Sequence, residues 1–241
     1  MFNIRVLATG SEAGNCTIIS DGWTNVMIDA GIAFNALEHR INALFVTHEH
    51  GDHTKYCRDI ALKGIRIFAT QGTFNKIELP SFAKNVIEYG KQFDIGTLKV
   101  IAFPVPHDAA EPCGFFIKNR AGETICFIGD TGALEDINVR ADCYIIEMNY
   151  DAEALSERLD KGEMYEGLHA RLTSEFGHLS VQQAEAWLNE NADENAHVIG
   201  LHKPSFKLPD NSLVYKLKNF VEPDEKGQIQ YQFGVDDRPP F

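Results

Sequence analysis

Short runs in which hydrophobic and polar residues alternate dominate the first hundred positions of this 241-residue chain. In the first run, Phe2, Ile4 and Val6 alternate with Asn3 and Arg5. A period of two is typical of β-strands that bury one face. The pattern predicts strands over residues 2–8, 16–20, 26–29, 43–47, 65–69 and 97–103, and helical spacing predicts helices over 53–63, 72–77 and 32–40.

The second half of the chain mixes strands with longer helical stretches. A hairpin is predicted from strands 114–118 and 123–128 around the loop formers at 119–122, and further strands are predicted over 142–147, 197–201 and 228–233. Helices are expected after Asp151, with an interruption at Gly162, and over 213–220. Four leucines have the spacing of buried helical positions: Leu155, Leu159, Leu168 and Leu172.

A capping box marks the start of one more helix. Ser180 and Gln183 have the spacing in which the two side chains cap each other's backbone amides, so the pattern predicts a helix over 181–189. No internal repeat, charge block or linker divides the sequence. We therefore expect an α/β fold in a single domain over 1–241.

Charge and hydropathy narrow the expected environment. The net charge is −13, from 22 basic and 35 acidic residues, which is opposite to the basic footprint of tight nonspecific nucleic-acid binding. A polyanionic substrate would therefore need metal ions or a local basic patch. The apolar run at the N-terminus is too short for a signal peptide, and no apolar stretch has membrane-spanning length. We expect a soluble cytoplasmic protein that does not bind membranes.

The five cysteines predict thiols rather than cross-links. Their number is odd, their spacing is wide and most lie within apolar runs, at Cys16, Cys57, Cys113, Cys126 and Cys143. Buried free thiols fit this distribution better than a disulfide framework or a zinc ribbon.

The candidate chemistry lies in residues 47–53, which follow the apolar run 43–46. Here His48 and His50 would share one side of an extended segment, and Asp52 and His53 would lie at the turn into a helix. Neutral imidazole and carboxylate are ligands of zinc and its neighbours, so the two pairs could hold two adjacent metal ions. The alternative is that the segment is a polar loop without a ligand.

This motif resembles the signature of the metallo-β-lactamase superfamily of dinuclear-metal hydrolases. The resemblance implies an αββα sandwich with two mixed β-sheets flanked by helices, and two divalent ions per chain, with zinc as the first choice and manganese as the alternative. Further ligands are implied at strand ends: His107, which two nearby prolines should present rather than bury, Asp130 as the bridge between the ions, and His202. We expect Asp29, at another strand end, to orient a ligand.

Other segments resemble the YycJ-like exonuclease and ribonuclease Z-like phosphodiesterase branch. These are the loop Gly10-Ser11-x-x-Gly14-Asn15-Cys16, His107-Asp108-Ala109 and Gly177-His178-Leu179-Ser180. The resemblance implies hydrolysis of a nucleic-acid or nucleotide phosphodiester by a metal-bridging hydroxide. Asp52 would accept a hydrogen bond from that hydroxide, and His178 would protonate the leaving oxygen. A homodimer is common among ribonuclease Z-like proteins.

Two departures from that branch affect the substrate prediction. Tyr150 stands where YycJ-type proteins usually have a histidine, and His202-Lys203-Pro204-Ser205 stands where they have a His-Leu-Ser segment. The long basic arm of many ribonuclease Z enzymes has no counterpart in the sequence. Lysines and arginines near the expected site are few, chiefly Lys55, Arg171, Lys203 and Lys207. The candidate substrate contacts are Ser11, Asn15, Asn149, Lys203 and Ser205.

Several functions remain open at this point. An exonuclease acting on strand ends is the first interpretation, and a phosphodiesterase for cyclic nucleotides or other small phosphodiesters is the alternative. A thioester or lactone hydrolase on the same fold would not need a proton donor at position 178. A metal-binding protein without catalysis is disfavoured because every expected ligand position is filled.

Overall fold

A computed structural model describes residues 1–202, 219–224 and 226–235. Its first sheet has the strand order β14-β1-β2-β3-β4-β5-β6, antiparallel from β14 to β3 and parallel from β3 to β6. In β1, the alternation of the sequence is matched by an alternation of buried and half-buried side chains. The strands are β1 Phe2–Ala8, β2 Cys16–Ser20, β3 Asn25–Ile28, β4 Ala43–Phe45, β5 Arg66–Ala69, β6 Lys84–Val86 and β14 Ile229–Phe233.

The second sheet has the order β13-β12-β11-β10-β9-β8-β7. Strands β7, β8 and β9 pair antiparallel, and β11, β12 and β13 pair parallel. The strands are β7 Gln92–Ile95, β8 Leu98–Pro104, β9 Cys113–Lys118, β10 Thr124–Ile128, β11 Cys143–Glu147, β12 His197–Leu201 and β13 Asn219–Val221. Both sheets are mixed, as predicted.

Helices connect these strands, and side chains cap three of them. Thr70, Asp151 and Ser180 accept hydrogen bonds from backbone amides in the first turns of α3, α4 and α6, and Ser180 forms the predicted capping box with Gln183. In the described ranges, none of the helices is both long enough and apolar enough to cross a membrane. They are α1 Gly51–Thr54, α2 Cys57–Leu62, α3 Gln71–Lys76, α4 Ala152–Asp160, α5 Glu166–Leu172 and α6 Val181–Asn191.

The chain divides into two compact units, so the single domain over 1–241 stays a prediction. The first unit comprises Met1–Pro104, Ala109–Ile125 and Pro223–Phe241. In its core, the Phe45 ring of β4 lies 5.6 Å from Phe93 of β7 and 5.3 Å from Phe115 of β9. Burial of large aromatic side chains of both sheets gives this unit its sandwich core.

The second unit comprises Val105–Asp108 and Cys126–Glu222. Helix α6 buries one face, including Val181, Ala184 and Trp187. The Trp187 ring meets Tyr144 of β11 edge to face at 5.6 Å, and its indole N–H donates to the Ile137 carbonyl. Parallel strands β11 and β12 carry their C-terminal ends, Glu147 and Leu201, to the same sheet edge.

Three helix predictions need correction. The predicted helix 53–63 is two helices, because the Tyr56 amide donates to the Ala30 carbonyl instead of to the preceding helical turn. Within the predicted helix 32–40, residues 36–40 form a turn that ends with Arg40 at φ +50°, and 32–35 are not helical. In the prediction for 213–220, residues 213–218 lie outside the described residues, and 219–220 belong to strand β13. Of the four leucines expected to be buried, only Leu155 is buried. Leu159, Leu168 and Leu172 are half-buried, and the last two belong to α5, which buries no side chain.

Candidate metal centre

The histidine-rich turn, residues 47–53, connects the end of β4 to helix α1. Strand β4 ends at Phe45, two residues earlier than predicted, and His48 and His50 lie in the link before α1 begins at Gly51. His48 and His53 are buried and His50 is half-buried. The ring centroid of His48 lies 4.6 Å from that of His50 and 4.1 Å from that of His53. The turn therefore brings three imidazoles together.

Asp29 fixes this turn from the end of β3. Its backbone has φ +59°, a left-handed conformation that Asp tolerates better than most residues. Its carboxylate accepts from the Thr47 amide at 2.8 Å and the Thr47 hydroxyl at 2.9 Å, and lies 2.8 Å from His53 Nδ1. Because a carboxylate only accepts, His53 carries its proton on Nδ1 and its lone pair on Nε2. Asp29 thus orients His53, the role we expected for it.

Asn15 holds the other side of the Asp52–His53 pair. Its amide nitrogen donates to Asp52 Oδ2 at 3.1 Å and lies 2.9 Å from His53 Nε2, while its oxygen accepts from the Gly10 amide at 2.9 Å. Asp52 Oδ2 and His53 Nε2 are 3.5 Å apart. The side chain of Asn15 is therefore engaged with the candidate ligands, whereas its role as a substrate contact stays a prediction.

Thr47 sets the tautomer of His48. Its hydroxyl donates to Asp29, so its lone pair can accept from His48 Nδ1 at 3.0 Å. His48 then presents its Nε2 lone pair, which lies 3.0 Å from His50 Nδ1. A single acidic side chain, Asp29, consequently orients His53 directly and His48 through Thr47.

The backbone of Gly31 also braces the turn. Its amide donates to the Asn15 carbonyl, and the Asn15 amide donates to the Asp52 carbonyl at 2.8 Å. A Cβ at position 31 would overlap both the Asp52 carbonyl oxygen and the Asn15 amide nitrogen. Only glycine permits this approach, so the Asp29-Ala30-Gly31 segment and the turn are held as one piece.

A second cluster, in the second unit, is organised by Glu147 at the end of β11. Glu147 is fully buried, and its Oε1 lies 2.6 Å from His178 Nδ1 and 2.8 Å from His202 Nδ1. Its Oε2 accepts from the Thr131 and Leu179 amides. Burial raises the pKa of Glu147, but the charge of His178 and the hydrogen bonds from both histidines outweigh burial and hold that pKa below its ordinary value.

Asp130 and His202 face each other within this cluster. Because Glu147 accepts from His202 Nδ1, the lone pair of His202 is on Nε2, which lies 3.4 Å from Asp130 Oδ1. Two acceptors at this distance repel unless a proton or a cation lies between them. Both side chains are buried, and His202 has the left-handed φ of +53°. Four groups lie close enough together to share a metal ion: Asp130, Glu147, His178 and His202.

His107 contributes a fifth group to the second cluster. Its Nδ1 donates to the Gly177 carbonyl at 3.0 Å, and its ring centroid lies 5.5 Å from that of His178. Burial lowers the pKa of His107 and favours the neutral imidazole that a metal requires. The prediction that nearby prolines present His107 rather than bury it is wrong, since the residue is 6% exposed.

His178 is the most accessible imidazole of this cluster, with its side chain 14% exposed. Burial lowers the pKa of His178, but the Glu147 carboxylate, with smaller contributions from Asp130 and Asp108, raises it to about 9. At neutral pH the ring therefore carries a proton on Nε2 as well as the one donated to Glu147. It lies just before α6, held by the hydrogen bond from its backbone amide to the Leu172 carbonyl.

A common arrangement unites the histidines of both clusters. Four candidate ligands have their Nδ1 beside a protein oxygen acceptor: His48, His53, His107 and His202. Metal-binding histidines typically donate their second ring nitrogen in this way to a carboxylate or carbonyl group. The donor chemistry of the described residues therefore fits a divalent transition metal such as zinc.

Comparison with known proteins identifies the family. A model described as the β-lactamase superfamily domain matches residues 24–202. The chain belongs to the β-lactamase superfamily. The predicted resemblance is thereby confirmed, and the match covers both the histidine-rich turn and the second cluster.

Relatives within the β-lactamase superfamily carry enzyme names. The exodeoxyribonuclease WalJ of Streptococcus pneumoniae is 30% identical over an alignment of 258 positions. The alignment covers 98% of this chain and 92% of the relative. The exodeoxyribonuclease YycJ of Bacillus anthracis is 28% identical over 221 residues, which cover 83% of this chain and 81% of the relative. The chain is accordingly one of the enzymes of this superfamily.

A solved structure of the superfamily confirms the predicted fold class. The metallo-β-lactamase fold protein YhfI from Bacillus subtilis aligns with a TM-score of 0.69 and 16% sequence identity, over 96% of this chain and all of that protein. At this identity the likeness concerns the fold. Two mixed seven-stranded sheets with helices are the shared architecture.

The other predicted site residues have different surroundings. Ser11 is exposed in the loop before β2, and Asn149 places its amide 3.1 Å from Glu147 and 3.3 Å from His202. Lys203 and Ser205 lie outside the described residues, as does Lys207. The five cysteines are buried free thiols, as predicted. Burial raises the pKa of Cys16 to about 12, so this thiol stays protonated.

Proposed function

We propose that this enzyme is a metal-dependent phosphodiester hydrolase that acts on the ends of DNA strands. The observation that carries the proposal is the shared orientation of four imidazoles, each with Nδ1 beside a protein oxygen, which is the arrangement typical of metal-binding histidines. The ligands we propose for two ions are His48, His50, Asp52, His53, His107, Asp130 and His202. Zinc suits this donor set best, and manganese is the alternative.

Bound divalent ions would lower the pKa of a water molecule to about 7 and neutralise charge on the phosphoryl oxygens. The residues of the chain then position water and protons. Asp52, which is held by Asn15, would accept a hydrogen bond from the attacking water. Glu147 is not needed as a ligand, because its two oxygens already accept from two imidazoles and two backbone amides. Its role is to position His178 and His202.

His178 is the proposed general acid. The hydrogen bond from Nδ1 to Glu147 fixes the ring plane, and the partly exposed side chain can offer the Nε2 proton to a departing alkoxide. An acid is needed when a phosphodiester expels a deoxyribose oxygen, because an alkoxide is a poor leaving group. Hydrolysis of a thioester does not need this proton. The pairing of His178 with Glu147 therefore favours a phosphodiester over a thioester substrate.

Strand ends are the proposed substrate because two relatives are named exodeoxyribonucleases and one of them aligns over 98% of this chain. The net charge of −13 supports a second candidate. A small phosphodiester, such as a cyclic nucleotide, brings fewer phosphates into the negative field of this chain than a long strand does.

A substrate panel tests the proposal. Purified protein supplied with zinc or manganese is assayed against end-labelled single-stranded DNA, RNA, cyclic nucleotides, bis-p-nitrophenyl phosphate and a thioester, with a chelated sample as control. We expect metal-dependent release of mononucleotides from DNA. Turnover that is fastest on cyclic nucleotides would support the second candidate, and turnover confined to the thioester would contradict both.

A further inference from the structure

A small cavity with aromatic walls lies beside helix α2, in the first unit. Its volume is about 310 Å³, at the lower end of the range of roughly 300–1,000 Å³ that is typical of small-ligand pockets. Phe34 and Tyr56 are half-buried, and both pack against the hydrophobic core of this unit. The lining residues are Ala33, Phe34, Asn35, Tyr56, Asp59, Ile60 and Lys63.

The cavity is joined directly to the histidine-rich turn. The Ala30 amide donates to the His53 carbonyl at 2.7 Å, and the Tyr56 amide donates to the Ala30 carbonyl at 2.9 Å. Tyr56 follows His53 by three residues, so at most about 10 Å of chain separates them. These bonds hold the cavity wall and the candidate ligands in one rigid segment.

The cavity-lining residues on helix α2 and at its two ends lie on one face of the helix. Tyr56, Ile60 and Lys63 follow at intervals of four and three residues, and such positions lie side by side on an α-helix. Opposite them, Phe34 comes from the loop after β3, and Lys63 Nζ lies 3.5 Å from the Phe34 carbonyl oxygen. A cation therefore stands at the edge of the aromatic walls.

The segment of sequence around helix α2 is basic although the whole chain is acidic, while the cavity lining itself has one acidic and one basic side chain, Asp59 and Lys63. Residues 54–66 contain four basic side chains, at Lys55, Arg58, Lys63 and Arg66, and one acidic side chain, at Asp59. Lys55 Nζ lies 5.6 Å from the centre of the Tyr56 ring. In a chain of net charge −13, this segment is a local patch of opposite sign. It is the kind of patch that a polyanionic substrate requires.

We propose that this cavity, the "aromatic pocket", is a binding site for one nucleotide of a single-stranded DNA substrate. The base would stack on Tyr56, or on the face of Phe34 that is not already stacked on His39, whose ring centroid lies 4.6 Å away. Lys55 and Lys63 would contact the adjoining phosphates. Aromatic rings beside cations are the combination by which proteins bind single strands without reading their sequence. The pocket would hold the strand next to the histidine-rich turn. This inference rests on the proposed function and adds the place where the strand is held.

Binding of a fluorescent, phosphorothioate-linked oligodeoxynucleotide to the metal-loaded protein tests the pocket, measured by anisotropy over a range of salt concentrations. Tyr56→Leu and Phe34→Leu keep apolar packing but remove the stacking surface. Each should weaken binding about 5- to 100-fold, with an unchanged salt dependence. Lys63→Ala should reduce the slope of log affinity against log salt by about 0.7.

Two variants serve as controls. Tyr56→Phe keeps the ring and should bind like the wild type. Arg120→Ala removes one exposed positive charge from the turn after β9, at the other end of that strand from Cys113, whose amide donates to the Thr47 carbonyl. It should change neither affinity nor slope. Thermal unfolding establishes that each variant is folded.

Wild-type affinity in both leucine variants would overturn the inference. If they instead changed the sedimentation of the protein and left DNA binding intact, the pocket would be a protein interface. The proposed function is tested separately, by the turnover of bis-p-nitrophenyl phosphate, a substrate too small to need the pocket. If the metal-loaded wild type does not turn over this substrate, the proposed hydrolase function is wrong. The oligonucleotide-binding result would still show whether the pocket binds DNA.

Discussion

At the scale of single residues, the enzyme controls which ring nitrogen of each imidazole carries the proton. Asp29 and Glu147 are the two buried carboxylates that do this, one in each cluster. Each accepts from Nδ1, which is the orienting bond typical of metal-binding histidines. Loss of such an orienting partner typically lowers metal affinity or activity 10- to 100-fold.

Replacement of His178 separates proton transfer from metal binding. His178→Ala should keep the metal content and lose roughly 10² to 10⁴ in turnover on DNA, whose leaving oxygen needs a proton. The loss should be much smaller on bis-p-nitrophenyl phosphate, because nitrophenolate leaves without protonation. Steady-state rates on both substrates measure the difference. Equal losses would assign His178 to metal support or structure.

Removal of the Glu147 charge should change the pH dependence of stability in the metal-free protein. The pKa of folded His178 is raised to about 9 from 6.5, so its interaction with Glu147 stabilises the fold fully below pH 6.5 and is lost as the pH rises through 9. Glu147→Gln should abolish this decline between pH 6.5 and 9. Free energies of unfolding in the presence of a chelator measure it, and an identical decline in both proteins would contradict the pairing.

The candidate ligands could be found in the sequence, whereas Glu147 could not. Four of the seven proposed ligands lie in one compact motif, and His107, Asp130 and His202 were proposed because the family resemblance implies distant partners. Glu147 ends an apolar strand and has no neighbouring motif. Its role arises only when β11 and β12 pair and Gly177-His178-Leu179 folds back over the strand end.

At the scale of elements, the histidine-rich turn depends on backbone bracing rather than on regular structure. Helices α1 and α2 contain four and six residues, too few to be stable by themselves. The bonds of Ala30 to residues 53 and 56, and the bond from the Asn15 amide to the Asp52 carbonyl, hold them. The close approach at Gly31 is therefore a requirement of the site and not only of the loop.

A methyl group at position 31 should disrupt this bracing. Gly31→Ala places a Cβ on the Asp52 carbonyl and the Asn15 amide, so the turn must shift, and we expect a loss of about 1–3 kcal/mol in the free energy of unfolding together with lower metal affinity. Gly51→Ala is the matched control, because its Cβ meets nothing within 4 Å. Urea unfolding measures the stability of both variants. If Gly31→Ala is as stable as Gly51→Ala, the turn tolerates the shift.

The sequence predicted the longer strands well and the short elements poorly. Strands with alternating burial such as β1 were found within a residue of their bounds. Strands β6 and β7 were missed because they have three and four residues, near the lower limit at which alternation can be seen. The break at Tyr56 results from the bond between its amide and the distant Ala30 carbonyl, and periodicity does not record such a bond. At the turn 36–40, the Asn25 side chain donates to the His39 and Arg40 carbonyls.

At the scale of the whole molecule, the net charge of −13 opposes the binding of a long polyanion. The salt dependence of the Michaelis constant distinguishes the two substrate classes. For DNA held at several phosphates, the constant should rise steeply between low and physiological salt, whereas a cyclic nucleotide held at one phosphate should show little change. A flat response on DNA, together with faster turnover of cyclic nucleotides, would contradict the nuclease proposal.

The metal content of the purified protein decides whether the site holds two ions. Bound metal and hydrolysis of end-labelled DNA are measured for the wild type and for Asp130→Ala. The wild type should be active and hold close to two ions per chain. The variant should hold fewer ions and be inactive, because Asp130 is the proposed bridge between them. An Asp130→Ala protein that is fully loaded and active, or an active wild type without bound metal, would contradict the account.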